Sequence, residues 1–237
     1  MIPKVIHYCW FGKGEMSPLH LRCIESWKRY CPDYELRLWN EENADIDNPY
    51  CRAAIKQRKW AFVSDWVRFD VLAKHGGVYL DTDMELITSI DSVLEHAGCV
   101  SARESQRVIG AAFIACHAGD PVMEQARAII LDDLSRRSLF VSSPLILAQA
   151  LKLCGPGLIH LLDQKCFYPF NPFDQDQPNN PRQLMYADVT PATLGIHHYS
   201  VSWGDKFFKR AVQRLLGYAG IKPRWHISFN AFEAARR

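Results

Sequence analysis

The sequence predicts an α/β fold, a single domain built on one sheet covered by helices. Three observations carry that prediction. Short apolar, β-branched runs alternate with amphipathic helical stretches through the first half of the chain. The length of 237 residues suits one large α/β domain. A composition of 48% hydrophobic and 23% charged residues is enough for a sizeable core.

The elements follow in order. Pro3 to Cys9 is an apolar run suited to a first strand, and it runs into a Trp10-Phe11-Gly12-Lys13-Gly14 loop. Ser17-Pro18 opens a helix, Ser as N-cap and Pro at the first helical position, with Leu21, Ile24, Trp27 and Cys31 at helical spacing before Pro32. Tyr34 to Trp39 alternates as a second strand, and Asn40 to Pro49 reads as a polar loop. From Trp60 to Lys74, Ala61, Phe62, Asp65, Trp66, Phe69, Leu72 and Ala73 recur at three- and four-residue steps, so this is a helix. His75-Gly76-Gly77 ends it, one glycine serving as a left-handed cap. Val78 to Leu80 is a strand and Asp81 its exit. Cys99 to Ala102 and Gly110 to Cys116 are further strands; helices open at Asp120-Pro121, running to about Leu131, and at Ser143-Pro144. Phe167 to Pro181 is a loop rich in proline and asparagine, Gly195 to Trp203 is short and aromatic, and Lys206 to Tyr218 is helical.

Charge and cysteine usage remove several function classes. A net charge of +2 lacks the basic excess of a dedicated nucleic-acid binder. No apolar run is long enough to span a membrane, and MIPKVIHYCW has no secretory leader pattern. The eight cysteines include no CxxC pair, so free thiols are expected, not a zinc site or disulfides.

Three DxD triplets occur: Asp45-Ile46-Asp47, Asp81-Thr82-Asp83 and Asp174-Gln175-Asp176. The letters alone carry little. The first and third fall in polar loops, where aspartates are expected to be solvated. The middle one follows Gly-Gly-Val-Tyr-Leu directly, at the carboxyl end of a strand, where open α/β sheets bind ligands. Two carboxylates there suit Mg²⁺ or Mn²⁺ and, through the ion, a phosphorylated ligand. Upstream, Asp65 and Arg68 share one face of the helix, among Phe62, Trp66, Phe69 and Leu72. A surface ion pair is the bland alternative.

Ala61 to Leu86 (AFVSDWVRFDVLAKHGGVYLDTDMEL) resembles the DxD sugar-binding region of glycosyltransferase family 32, which includes bacterial capsule and lipopolysaccharide enzymes and the yeast initiating α-1,6-mannosyltransferase. The pattern is also similar to that of clostridial glucosylating toxins. IPKVIHYCWFG at the start and GIHHYSVSW at Gly195 to Trp203 extend the resemblance in the family's order. It implies a GT-A-type, Rossmann-like mixed sheet over residues 1–205, with 206–237 a basic amphipathic helix and tail. It further implies a UDP-linked donor, Mn²⁺ or Mg²⁺, retention of anomeric configuration and a glycan acceptor.

By that resemblance Trp10 stacks on the nucleotide base, Ser64 contacts the ribose, and Asp65 and Arg68 hold donor-sugar hydroxyls. Tyr79 lies near the nucleoside, Asp81 bridges ribose and sugar, and Asp83 is the direct metal ligand. His198 is a further metal ligand, and Trp203 hydrogen-bonds the diphosphate. In a strand the adjacent His197 and His198 point to opposite faces, so one is a ligand and the other core or solvated; the family spacing to Trp203 selects His198. Val201 and Ser143-Pro144 depart from the family pattern.

The reaction so implied is hexosyl transfer in surface-polysaccharide synthesis, at Asp65, Arg68, Asp81 and Asp83. The alternatives are a nucleotide-sugar hydrolase, a binding module without turnover, or a toxin-like enzyme glucosylating protein. In the tail, Phe207, Phe208, Ala211, Val212, Leu215 and Tyr218 form an apolar stripe opposite Lys206, Lys209, Arg210 and Arg214. That pattern fits either a helix docked on its own domain or one lying on anionic membrane, where a lipid-linked acceptor would be met from the cytoplasmic face.

Overall fold

A computed structural model describes residues 1–96, 98–137, 140–174 and 184–200. Trp203, Val201 and the amphipathic tail lie outside them.

Six strands form the main sheet: β1 (Val5–Cys9), β2 (Glu35–Trp39), β3 (Gly77–Leu80), β5 (Cys99–Arg103), β6 (Ile109–Cys116) and β7 (Ile159–Leu162). Their order is β2-β1-β3-β6-β5-β7. β1 runs parallel to both β2 and β3, β6 is antiparallel to β3 and β5, and β7 is parallel to β5. The sheet is therefore mixed, and the order in which strands are added reverses at β1, which lies between β2 and β3. Beyond it, β4 (Met84–Leu86) and β8 (Gly195–His197) make a separate antiparallel pair.

Helices α2 (Pro49–Lys56), α3 (Trp60–His75), α4 (Pro121–Arg137) and α5 (Ser143–Cys154) pack against one face of the sheet, while α1 (Pro18–Tyr30) covers the other. The period of two in β3 shows why that strand is buried on both sides. Tyr79 enters the core of α2 to α5, and Val78 and Leu80 enter the core containing Ile24 and Trp27 of α1.

The Gly76-Gly77 turn sets the direction in which β3 leaves α3. Both residues have positive φ, 64° and 95°. A Cβ on Gly77 would lie 2.8 Å from the Val5 carbonyl oxygen and one on Gly76 would lie 2.5 Å from the Ala118 nitrogen, so both positions require glycine. His7 braces the turn from β1, its Nε2 2.9 Å from the Gly76 carbonyl oxygen, while the Trp39 indole donates to its Nδ1 at 3.0 Å.

Four elements go beyond the sequence expectation. α2 begins where the 40–49 loop ends, capped by Asn48, whose Oδ1 accepts from the Cys51 amide at 2.9 Å. β4 and β7, three and four residues long, are too short to show a period of their own. α4 continues to Arg137, past the expected stop near Leu131. All eight cysteines are free thiols. Among the described residues no helix is long and apolar enough to cross a membrane.

Candidate active site

The site forms at the carboxyl ends of the parallel neighbours β1 and β3, where the strand order switches. β3 ends at Leu80. The Asp81 amide still bonds to the Ala112 carbonyl, at 2.9 Å, so the backbone of Asp81 is fixed by the sheet while its side chain emerges from it.

Arg68 organises one side of the site. Its side chain is only 6% exposed, and Nη2 sits 3.0 Å from Oδ1 of Asp65 and 3.0 Å from Oδ1 of Asp81. Nη1 donates to the Ala111 carbonyl oxygen, and the guanidinium lies over the Tyr79 ring at 4.6 Å. The Tyr79 hydroxyl donates to the same Asp81 Oδ1 at 3.1 Å. The Asp65–Arg68 pair is thus buried, unlike the surface i,i+3 pair that was the alternative. Burial lifts the Asp65 carboxyl to about 6, against the pull of Arg68 and of Ser143 at the start of α5. Ser143, a departure from the family pattern, therefore hydrogen-bonds to Asp65.

The other side joins β3 to β8. Oδ1 of Asp83 is 3.2 Å from His197 Nε2, and Oδ2 accepts from the Ser200 amide at 2.7 Å. The Asp83 carbonyl accepts from the His198 amide at 3.0 Å. Burial alone would raise the Asp83 carboxyl, but His197 and the Ser200 amide hold it below the ordinary carboxylate range. Burial likewise disfavours charge on His197, and Asp83 overcomes it, so the imidazole is raised above its usual range.

Asp81, Asp83 and His197 each present one ligand atom, and the three lie within 4.8 Å of one another. His197 also has a buried Nδ1 without a hydrogen-bond partner among the described residues. Two hard oxygens and one imidazole nitrogen fit a divalent ion with coordination positions left for phosphate oxygens. His198, selected from the sequence, turns the other way, its Nε2 2.7 Å from Glu85 Oε2. The β4–β8 register decides this by setting His197 opposite Met84, beside Asp83.

The remaining predicted residues divide. Trp10 leaves β1 with its amide on the Trp39 carbonyl and its ring 4.9 Å from that of His20. His20 Nε2 is 2.9 Å from the Ser200 hydroxyl, which links the Trp10 loop to the residue that holds Asp83. Ser64 contacts the Trp60 carbonyl of its own helix at 3.4 Å and joins neither the acid cluster nor the histidine. Asp47 is exposed and bonds to Arg52, and Asp45 pairs with Lys74, as expected of solvated loop acids. Asp174 corrects the reading of the third triplet: it is buried, and its Oδ2 accepts from Gln164 at 3.3 Å. His20 carried no sequence signal, because only the tertiary fold brings it to the Trp10 ring and the Ser200 hydroxyl.

Residues 17–99 match the family described as "Glycosyltransferase sugar-binding region containing DXD motif". That match covers about a third of the chain, which is similar to DXD-containing glycosyltransferases over this region. Among curated proteins the chain is 30% identical over 104 residues to inositol phosphoceramide mannosyltransferase 3 of Schizosaccharomyces pombe, a match covering 42% of this chain and 29% of that one. The chain thus spans less than a third of that relative's length.

Two solved structures share its fold. The PaToxG glycosyltransferase aligns with a TM-score of 0.55 at 20% identity, covering 66% of this chain and 70% of that one. The galactosyltransferase LgtC, solved in complex with donor and acceptor sugar analogs, aligns with a TM-score of 0.50 at 10% identity, covering 93% and 98%. The fold of the chain is GT-A-type.

Proposed function

We propose that this chain transfers a hexose from a UDP-linked donor to a glycan hydroxyl, with retention of configuration. The observation that carries the reading is the convergence of Asp81, Asp83 and His197 within 4.8 Å, beside the buried Asp65–Arg68 pair. Asp83 and His197 would hold a Mn²⁺ ion together with Asp81. When bound, such an ion neutralises charge developing on a leaving diphosphate. Arg68 fixes Asp65 and Asp81 relative to each other, which aims both carboxylates at donor hydroxyls. The Trp10 ring, braced by His20, offers a face for the base. Ser64 and Trp203 keep the roles implied by the family resemblance only as part of this proposal, and the geometry favours His197 over His198 as the nitrogen ligand.

Calorimetric titration of UDP with and without Mn²⁺ tests the reading. Asp83→Ala should abolish the metal-dependent part of binding, and His197→Ala should weaken it more than His198→Ala does. Unchanged Mn²⁺-dependent UDP affinity in Asp83→Ala overturns the assignment.

A further inference from the structure

On the other side of β6 from Asp81 a second group of side chains faces the same edge of the sheet. β3 and β5 are both antiparallel to β6, so they point the same way and their carboxyl ends lie together. Asp81 follows β3 and Glu104 follows β5. Two strand spacings put these acids about 10 Å apart along the sheet edge. Glu104 faces His197, Tyr199, Asp81 and Asp174.

One buried side chain ties this corner together. Asn171 donates through Nδ2 to the Glu104 carbonyl at 2.9 Å and accepts through Oδ1 from the Phe173 amide at 2.9 Å. Phe173 is thereby fixed in place yet 56% exposed. Its ring meets Tyr199 edge-on at 5.7 Å, and Tyr199 in turn packs on His197 at 4.2 Å. Tyr199 is held at a φ of 51°, a left-handed conformation uncommon for an aromatic residue. Its hydroxyl is buried near Glu104, without a hydrogen bond of normal geometry among the described residues. A lone exposed phenylalanine is ordinary protein surface. This one is anchored beside a carboxylate and a buried phenol, and an aromatic chain links it to His197.

We infer that Phe173, Tyr199 and Glu104 form the acceptor subsite, which takes one pyranose unit of a glycan. This inference rests on the donor site proposed above. A pyranose presents an apolar face to stack on Phe173 and hydroxyls that match Glu104 as acceptor and Tyr199 as donor or acceptor. The position suits that role, because a sugar seated there lies across β6 from Asp81, about two strand spacings away.

The test loads the chain with Mn²⁺ and UDP and titrates methyl α- and β-glucosides, galactosides and mannosides, read by saturation-transfer NMR. At least one glycoside binds, and Phe173→Ala and Glu104→Gln each weaken it roughly tenfold. UDP affinity in both variants stays within about twofold of the parent, which also shows that they fold. Glycoside binding that is unchanged in both variants, or absent from the UDP-loaded parent, overturns the subsite. Failure of the parent to bind UDP with Mn²⁺ overturns the donor reading itself.

Discussion

Replacing Arg68 with Met separates the electrostatics of the site from its packing. Met keeps most of the apolar stem and removes the guanidinium that lies between Asp65 and Asp81. The two carboxylates respond differently. The Asp81 side chain is 27% exposed and can recover water, whereas that of Asp65, at 9%, cannot. Stranding one member of a buried pair costs about 3–5 kcal/mol. For a chain of this size that is a fall in Tm of roughly 6–20 °C.

The loss must also depend on pH. With Arg68 present the Asp65 carboxyl is already raised to about 6; without it, Asp65 keeps its proton to higher pH. Between pH 6 and 8 the folded variant then binds more protons than the folded parent, so raising the pH penalises the variant further. Two pH units of that difference are worth about 2–3 kcal/mol. Urea unfolding of parent and variant at pH 5 and pH 8 reads both quantities, and titrations common to the two proteins cancel. Adding Asp65→Asn should restore much of the loss at pH 8. An equal penalty at both pH values, or a double variant no more stable than Arg68→Met, refutes the account.

Two further outcomes follow from the turn before β3. Burial holds the His7 imidazole down at about 4, so the unfolded chain takes the proton first. Its contribution is intact above about pH 6.5 and is lost as pH falls toward 4, worth about 3 kcal/mol in total. Urea unfolding across that range should show a slope that His7→Asn flattens, and identical slopes would contradict the assignment. Gly77→Ala, at a φ of 95° with its Cβ against the Val5 carbonyl, should lose about 2–4 kcal/mol in the same assay. A loss under about 1 kcal/mol would mean that the turn relaxes freely.

How much of the fold is legible in the sequence depends on the length of each element and the range of its contacts. α3 is legible because sixteen residues give several turns of apolar spacing, and the same spacing puts Asp65 on the packed face. β3 is legible from its glycines and its apolar run. α2 carries its signal in Asn48-Pro49, a cap and first-turn pair, but the polar stretch before it reads as one continuous loop. β4 exists only because β8 pairs with it, and no local pattern announces a three-residue strand. For the same reason alternation reduces the choice between His197 and His198 to one of two, but cannot make it. Asp174 looks solvated beside its prolines because burial of a loop acid by Gln164 is a tertiary event.

The register of β4 against β8 therefore matters more than its few residues suggest. It places His197 on Asp83 and, through the turn that follows, brings the Ser200 amide to the other oxygen of the same carboxylate. The hydrogen bond from the Ser200 amide to Oδ2 keeps the carboxylate aimed, so Asp83 would offer Oδ1 to an ion in a fixed direction. Ser200 is held in turn by His20, whose Nδ1 meets Ser17 at the start of α1 and whose ring supports Trp10. The aromatic proposed for the base and the acid proposed for the ion thus rest on one helix end. A shift of α1 would move both together, and partners beyond the direct ligands commonly set metal affinity in this way. The two aspartates of the motif supply the charge; the long-range pairing with β8 and α1 makes their geometry a site.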